Sequence, residues 1–247
     1  MRLIYAITGA DRLHFLQGLV SNDVKRLDQG AVYAALLTPQ GKYLADFLLV
    51  ARDETILLDI DAAIAEATVR RLAMYRLRAD VQISPSDLQV FRGTSPMPEG
   101  AVADPRDPAM GWREYGPRAG DDGSDFDAIR VDRIIPETGI ELTADTYILE
   151  AGFERLHGVD FRKGCYVGQE VTARMKHKTE LRKGLSRVRI QGAAPVGTAI
   201  VSADGKAVGT LFTQSGGRAL AHLRLDRAEG DLHAGDAVVH HDPDDRI

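Results

Sequence analysis

Apolar and polar positions along the chain follow two regimes. Through the first ninety residues, strand-like runs alternate with stretches of helical spacing. Leu3 to Ile7 reads as a strand, and Asp11 can cap a short helix with Leu13, Leu16 and Val20 on one face. Val32 to Thr38 and Tyr43 to Val50 are β-rich runs separated by Pro39-Gln40-Gly41, a turn in both its proline and its glycine. Thr55 to Ile60 is a third run. Asp61 then caps a helix of about four turns through Ile64, Leu72 and Tyr75. Ala79 to Ser84 and Leu88 to Arg92 return to strand. The alternation predicts an α+β sheet domain.

Residues 94 to 124 are looser. They hold five prolines (Pro96, Pro98, Pro105, Pro108 and Pro117), a Gly120-Asp121-Asp122-Gly123 turn and an aromatic island at Trp112 and Tyr115. Two short strands and loops are expected here, as a linker between halves. A helix capped by Ser124 or Asp125 follows, with Phe126, Ile129 and Arg133 on one stripe and Pro136 as its stop. Thr143 to Leu156 reads as another helix, interrupted at Gly152. After Leu181 the second regime begins. Leu185 to Ile190, Thr198 to Val201, Ala207 to Phe212, Ala219 to Leu223 and Ala237 to His240 alternate with glycine turns about every ten residues. That spacing fits a small antiparallel barrel or sandwich. A domain boundary is placed near residue 180, dividing an α+β region (1–180) from a β region (181–247).

Composition changes this picture little. At 247 residues with 44% hydrophobic and 27% charged side chains, the chain resembles an ordinary globular protein. A net charge of −5 argues against a dedicated nucleic-acid binder. No apolar run is long enough to span a membrane, and the N-terminal residues lack a signal-peptide pattern. A cytoplasmic location is the expectation. One cysteine excludes an intramolecular disulfide or a CxxC site.

That cysteine sits in Lys163-Gly164-Cys165-Tyr166-Val167-Gly168-Gln169-Glu170, the most distinctive stretch of the chain. Gly164 and Gly168 bracket it and allow a tight turn or a close approach. Val167, Val171 and Met175 recur every four residues, as one helix face would require, although a strand through Val171, Ala173 and Met175 competes. On the helical reading Cys165 lies at or just before an N-terminus. The helix dipole and Lys163 would then both favour a thiolate. A lone cysteine is also, ordinarily, a small buried apolar residue.

The octapeptide, with Val171-Thr172-Ala173-Arg174 after it, resembles the signature of the YgfZ-type folate-binding proteins. These are relatives of the glycine-cleavage T-protein that act in iron–sulfur protein maturation. Phe15-Leu16-Gln17-Gly18 with Ser21-Asn22-Asp23-Val24, Leu37 to Lys42, and Leu149-Glu150-Ala151-Gly152 resemble further family segments. Residues 85 to 125 match none. The resemblance implies a ring of mixed α/β lobes with a C-terminal antiparallel β-barrel, and tetrahydrofolate, or a one-carbon derivative, in the central opening. It makes Cys165 the functional thiol. Glu150 would hydrogen-bond the pterin, whose adjacent donors suit a carboxylate. Lys42, Asp46, Lys163, Tyr166, Gln169, Glu170 and Arg174 are the further candidates for folate binding.

Where the T-protein carries paired acids, this chain reads Leu44-Ala45-Asp46, with a single acid. That departure sets an accessory factor without ordinary turnover against a folate-dependent aminomethyltransferase. Strand alternation directs Asp46 to the opposite face from Ala45. An effect on tRNA modification would be indirect, through an iron–sulfur enzyme. Between Arg162 and Lys183 seven cations (Arg162, Lys163, Arg174, Lys176, Lys178, Arg182, Lys183) face two acids, Glu170 and Glu180, a basic patch in an acidic chain. It could take a folate's glutamate tail, RNA or an acidic partner. His222, His233, His240 and His241 lack the accompanying ligands of a metal site, and none is expected. One thiol cannot complete a four-ligand cluster within one chain, so any cluster contact would need a second chain, glutathione or another protein, with iron–sulfur client or scaffold proteins the expected partners.

Overall fold

The computed structural model describes residues 1–177 and 181–242, and the boundary expected near 180 falls at residues outside that description. The chain divides into two compact units. One comprises 1–124 and 156–173; the other comprises 125–155 and the residues from 174 on.

The first unit opens with β1 (Arg2–Thr8), α1 (Arg12–Gln17), β2 (Val32–Leu37), β3 (Tyr43–Arg52), β4 (Thr55–Asp61), α2 (Ala62–Tyr75) and β5 (Gln82–Pro85). The strands form an antiparallel sheet in the order β2-β3-β4-β1-β5. Period-2 alternation gives the sheet two distinct faces. Ala34, Leu36, Phe47, Leu49, Leu58 and Ile60 pack with Leu16 of α1 and Leu72 of α2. Asp61 caps α2 as expected, accepting from the Ala63 amide at 2.8 Å. Asp11 does not cap α1; its carboxylate accepts from the Asp80 amide instead. The buried residues of α1 are Phe15 and Leu16, while Leu13 is exposed and Val20 lies beyond the helix.

Residues 94–124 are not a linker. With β6 (Gln89–Gly93), the strands β7 (Val102–Ala103), β8 (Trp112–Gly116) and β9 (Gly120–Asp121) form a second sheet, ordered β7-β8-β6-β9. Val90, Val102 and Tyr115 of this sheet pack on Ile4, Val50 and Leu57, from the face of the first sheet that its helices leave uncovered. Prolines and short strands hide the pattern, because two-residue strands carry no readable alternation.

The second unit starts with α3 (Phe126–Arg133), capped by Asp125 through the Ala128 amide at 2.9 Å. Its buried stripe is Phe126, Arg130 and Val131, where Ile129 and Arg133 were expected. Pro136 is not its stop. Ile134 turns left-handed (φ 54°), and Arg155 donates to the Arg133 and Ile134 carbonyls that the helix end leaves open. Residues 143–156 are turns, not a helix. Gly152 (φ 77°) and His157 (φ 55°) are left-handed, which the helical spacing of apolar residues does not register. After α4 (Gln169–His177), β10 (Lys183–Gln191), β11 (Ala199–Ser202), β12 (Ala207–Ser215), β13 (Arg218–Arg224), β14 (Leu232–Ala234) and β15 (Ala237–His241) close an antiparallel barrel, in the order β10-β13-β12-β11-β14-β15. Of the barrel and sandwich alternatives, the barrel forms. The three-residue β14 is the strand the sequence pattern passes over.

Candidate functional site

The signature is held by the segment before it. Ser21 Oγ donates to the Gly158 carbonyl (2.6 Å) and Asn22 Nδ2 to the His157 carbonyl (2.6 Å). Asp160 accepts from the amides of Arg162 (2.6 Å) and Lys163 (3.1 Å) and from Arg26 (2.5 Å). While Asp23 accepts from the Lys25 amide, Ser21, Asn22 and Arg26 form a clamp on residues 157–163. Lys163 completes it: its ammonium donates to the carbonyls of Gln17 (2.7 Å) and Val20 (2.5 Å) and lies 5.0 Å from the Tyr166 ring centroid. Burial lowers the Lys163 ammonium to about 8, against the opposing pull of Asp23 and Asp160.

Two expectations change here. Lys163 turns inward to backbone carbonyls, so it is not the cation of a thiolate pair. Nor does Cys165 sit at a helix N-terminus, for α4 begins four residues later, at Gln169. Cys165 is nevertheless exposed, which removes the buried-cysteine alternative. Of the bracketing glycines only Gly168 is sterically required. At φ 84° a Cβ would lie 2.6 Å from the Thr38 carbonyl oxygen, whereas Gly164 faces open space. Gly41 (φ 75°) of the β2–β3 turn meets Val171 in the same way, at 2.8 Å. The hairpin that carries Lys42 thus packs directly against the signature. Thr172 is the buried residue of α4, with Val171 and Met175 half-buried.

Among the remaining candidates, Tyr166 is 7% exposed and its hydroxyl has no hydrogen-bond partner among the described residues. Burial pushes its phenol up to about 12. Gln169 and Lys42 are half-buried, while Glu170 and Arg174 are exposed. Glu150 belongs to the second unit, 18% exposed by its side chain. Its carbonyl accepts from the Leu185 amide (2.7 Å), and its carboxylate lies 3.6 Å from His222 Nε2. The basic run does not persist as a block of free cations. Lys163 is buried, Lys176 pairs with Glu154, and Lys178 lies outside the described residues.

Asp46 leaves β3 on the face opposite Ala45. It is buried, and accepts from the hydroxyls of Tyr33 (3.0 Å) and Tyr43 (2.6 Å). It edges a charge network between the two sheets of the first unit. Asp59 accepts from Arg2 (2.6 Å), Arg113 (3.1 Å) and Tyr115 (2.9 Å), while Asp104 binds Arg106 (2.7 Å) and Arg113 (3.1 Å). Arg106 lies 5.5 Å from the Tyr33 ring centroid. Burial alone would raise Asp59, but Arg2 and Arg113 hold it below the usual carboxylate range. Burial pushes Tyr33 and Tyr115 well up. Sequence reading passed over this network. Its one signal was Asp59, a carboxylate inside the apolar run Ile56-Leu57-Leu58-Asp59-Ile60.

The fold is that of the glycine-cleavage T-protein. The aminomethyltransferase T of Bartonella henselae superposes over 98% of this chain and 83% of its own with a TM-score of 0.76, at 14% identity. Residues 182–245 match the family described as the CAF17 C-terminal beta-barrel domain. Two mitochondrial iron–sulfur cluster assembly factors named IBA57 align over 94% of this chain and 78% of their own length. The human protein is 31% identical and the mouse protein 30%. An IBA57 homologue of Mycosarcoma maydis is 33% identical over 74% of this chain and 54% of its own. The chain belongs to the IBA57 family of iron–sulfur cluster assembly factors, a T-protein-like group related to the YgfZ proteins that the signature resembles. The cytoplasmic expectation is overturned. These relatives are named mitochondrial, and they point to that compartment. The expectation had rested on a missing signal peptide and membrane span, which do not distinguish one aqueous compartment from another.

Proposed function

We propose that this protein is an iron–sulfur cluster assembly factor in which Cys165 is the thiol that meets the cluster. The observation that carries this reading is an exposed thiol directly after a clamped segment, in a chain whose relatives are named for cluster assembly. With one thiol per chain, the remaining ligands come from an iron–sulfur scaffold or client protein, or from glutathione. Cells lacking the gene should lose activity in enzymes that carry [4Fe–4S] clusters, tRNA-modifying ones included. Cys165→Ser should leave the fold intact and fail to restore that activity. Full restoration by the serine variant would remove Cys165 from the mechanism.

The second element of the proposal is a bound reduced folate. Its support is the buried Tyr166 hydroxyl, which lies near Thr172 but makes no well-formed hydrogen bond among the described residues, a polar group of the kind that ordinarily finds a partner. Glu150, half-buried with one distant histidine beside it, has acceptor capacity left for a pterin. Losing a buried charged hydrogen bond typically costs about 1.5–3 kcal/mol. Glu150→Ala should therefore weaken tetrahydrofolate binding roughly 10- to 150-fold in isothermal titration; unchanged affinity removes Glu150 from the site. The shared fold keeps aminomethyl transfer as the competing activity. Against it stands Asp46, engaged by two phenols on the face away from Ala45. Methylenetetrahydrofolate formed from an aminomethylated lipoyl carrier would promote that alternative.

A further inference from the structure

The end of α2 and the turn after it, Ala73 to Arg78, present six consecutive exposed residues. Met74 is 75% exposed and Leu77 88%, in a chain whose other leucines are mostly buried. Leu77 also adopts a left-handed conformation, φ 46°. Such a backbone is costly for a residue with a branched side chain. The turn is closed by the Ala79 amide on the Arg76 carbonyl at 2.8 Å, which fixes Leu77 at its tip.

Around these apolar tips stand Arg70, Arg71, Arg76 and Arg78. Glu66 lies 3.7 Å from Arg70, Arg76 donates to the Val81 carbonyl at 3.3 Å, and Asp80 accepts from the neutral Ala10 amide at 3.0 Å. Arg71 and Arg78 have no ion-pair partner among the described residues. Cations beyond a helix C-terminus complement its dipole, which accounts for some of this charge. It does not account for a methionine and a strained leucine held out in water among them.

We propose that Met74 to Arg78, with Arg70 and Arg71, is a docking surface for an acidic protein partner. Two apolar anchors beside two arginines without an ion-pair partner among the described residues, Arg71 and Arg78, match a shallow apolar hollow rimmed by carboxylates. The charge sign is opposite to that of this chain, which at −5 would itself be repelled by such a partner elsewhere on its surface. That the partner gives or receives a cluster rests on the assembly reading above; the surface does not.

The test places a photoreactive phenylalanine analogue at Tyr75 of the full chain in its own cells and identifies the adduct. The expected adduct is an acidic protein that handles iron–sulfur clusters. Its binding, measured with the purified pair, should weaken about tenfold or more in Leu77→Asn, and should fall with salt and in the double variant Arg71→Glu/Arg78→Glu. Asparagine tolerates the left-handed conformation, so Leu77→Asn should melt no lower than the parent, which separates lost docking from lost folding. No protein adduct overturns the proposal, and so does a partner whose affinity ignores both variants. Wild-type binding to vesicles of equal parts phosphatidylcholine and phosphatidylserine, lost in Leu77→Asn, overturns it in favour of a membrane. An acidic partner without any cluster, bound through these residues, would leave the surface standing and remove only its link to cluster transfer; the assembly reading itself fails or stands on the Cys165→Ser test.

Discussion

Lys163 is two residues from the exposed thiol of Cys165, yet its charge faces the protein. Its folded value, about 8, lies below the ordinary lysine value of 10.5 because burial disfavours the ammonium. Between those values the unfolded chain binds more protons than the folded one, so this group makes stability rise with pH from about 8 towards 10.5. The phenols of Tyr33, Tyr115 and Tyr166 act oppositely above a tyrosine's usual range, since they stay protonated longer in the folded state. Comparing the parent with Lys163→Met cancels their contribution. Urea unfolding across this range should show the parent gaining stability relative to the methionine variant. A difference that stays flat with pH would mean the ammonium is not buried. The signature was legible as a string of residue types, but the direction of Lys163 was not. Its partners are main-chain carbonyls more than 140 positions away, and carbonyls leave no mark in a sequence.

At the scale of elements, what was legible had local causes. The β2–β3 hairpin follows from Pro39-Gln40-Gly41, and α2 from Asp61 and its apolar spacing. What was missed had distant ones. Residues 143–156 carry helical spacing but are turned by contacts with α3 and β10, including Arg155 on the Ile134 carbonyl and Leu185 on Glu150. Residues 94–124 form strands because β6 and the first sheet supply their partners. The interlock of Gly41 and Gly168 joins a legible hairpin to a legible signature through a contact that neither discloses. Gly168→Ala must accept a left-handed φ and move its Cβ away from the Thr38 oxygen, 2.6 Å away. The backbone strain alone is about 1–3 kcal/mol. The denaturant midpoint should fall accordingly, while Gly164→Ala, which meets open space, should change it little. Equal effects at the two glycines would show that the interlock is not what holds the signature.

For the whole molecule, the sequence places one boundary, near 180, whereas the chain crosses between its compact units three times. The C-terminal barrel was readable from its glycine-punctuated strands. That residues 125–155 group with it was not, because the link is made by a few side chains. Val131 packs with Leu185 and Leu220, and half-buried Ile134 and Phe212 lie against them. Arg130 reaches Glu141 at 2.6 Å, and Glu141 accepts from the Thr213 hydroxyl at 2.5 Å. A chain ending at residue 180 would keep α3 and Glu141 but lose every one of these barrel partners. Val131 and Ile134 would meet water, and the buried Arg130–Glu141 pair would lose the hydroxyl and amide of Thr213. Lost apolar burial and lost hydrogen bonds of this kind together cost several kcal/mol, a large share of a domain's total. Such a chain should be aggregated on size exclusion, or should melt without the cooperative transition of the full protein in circular dichroism. A monomeric 1–180 chain with a sharp transition near the parent's would mean that residues 125–155 do not depend on the barrel.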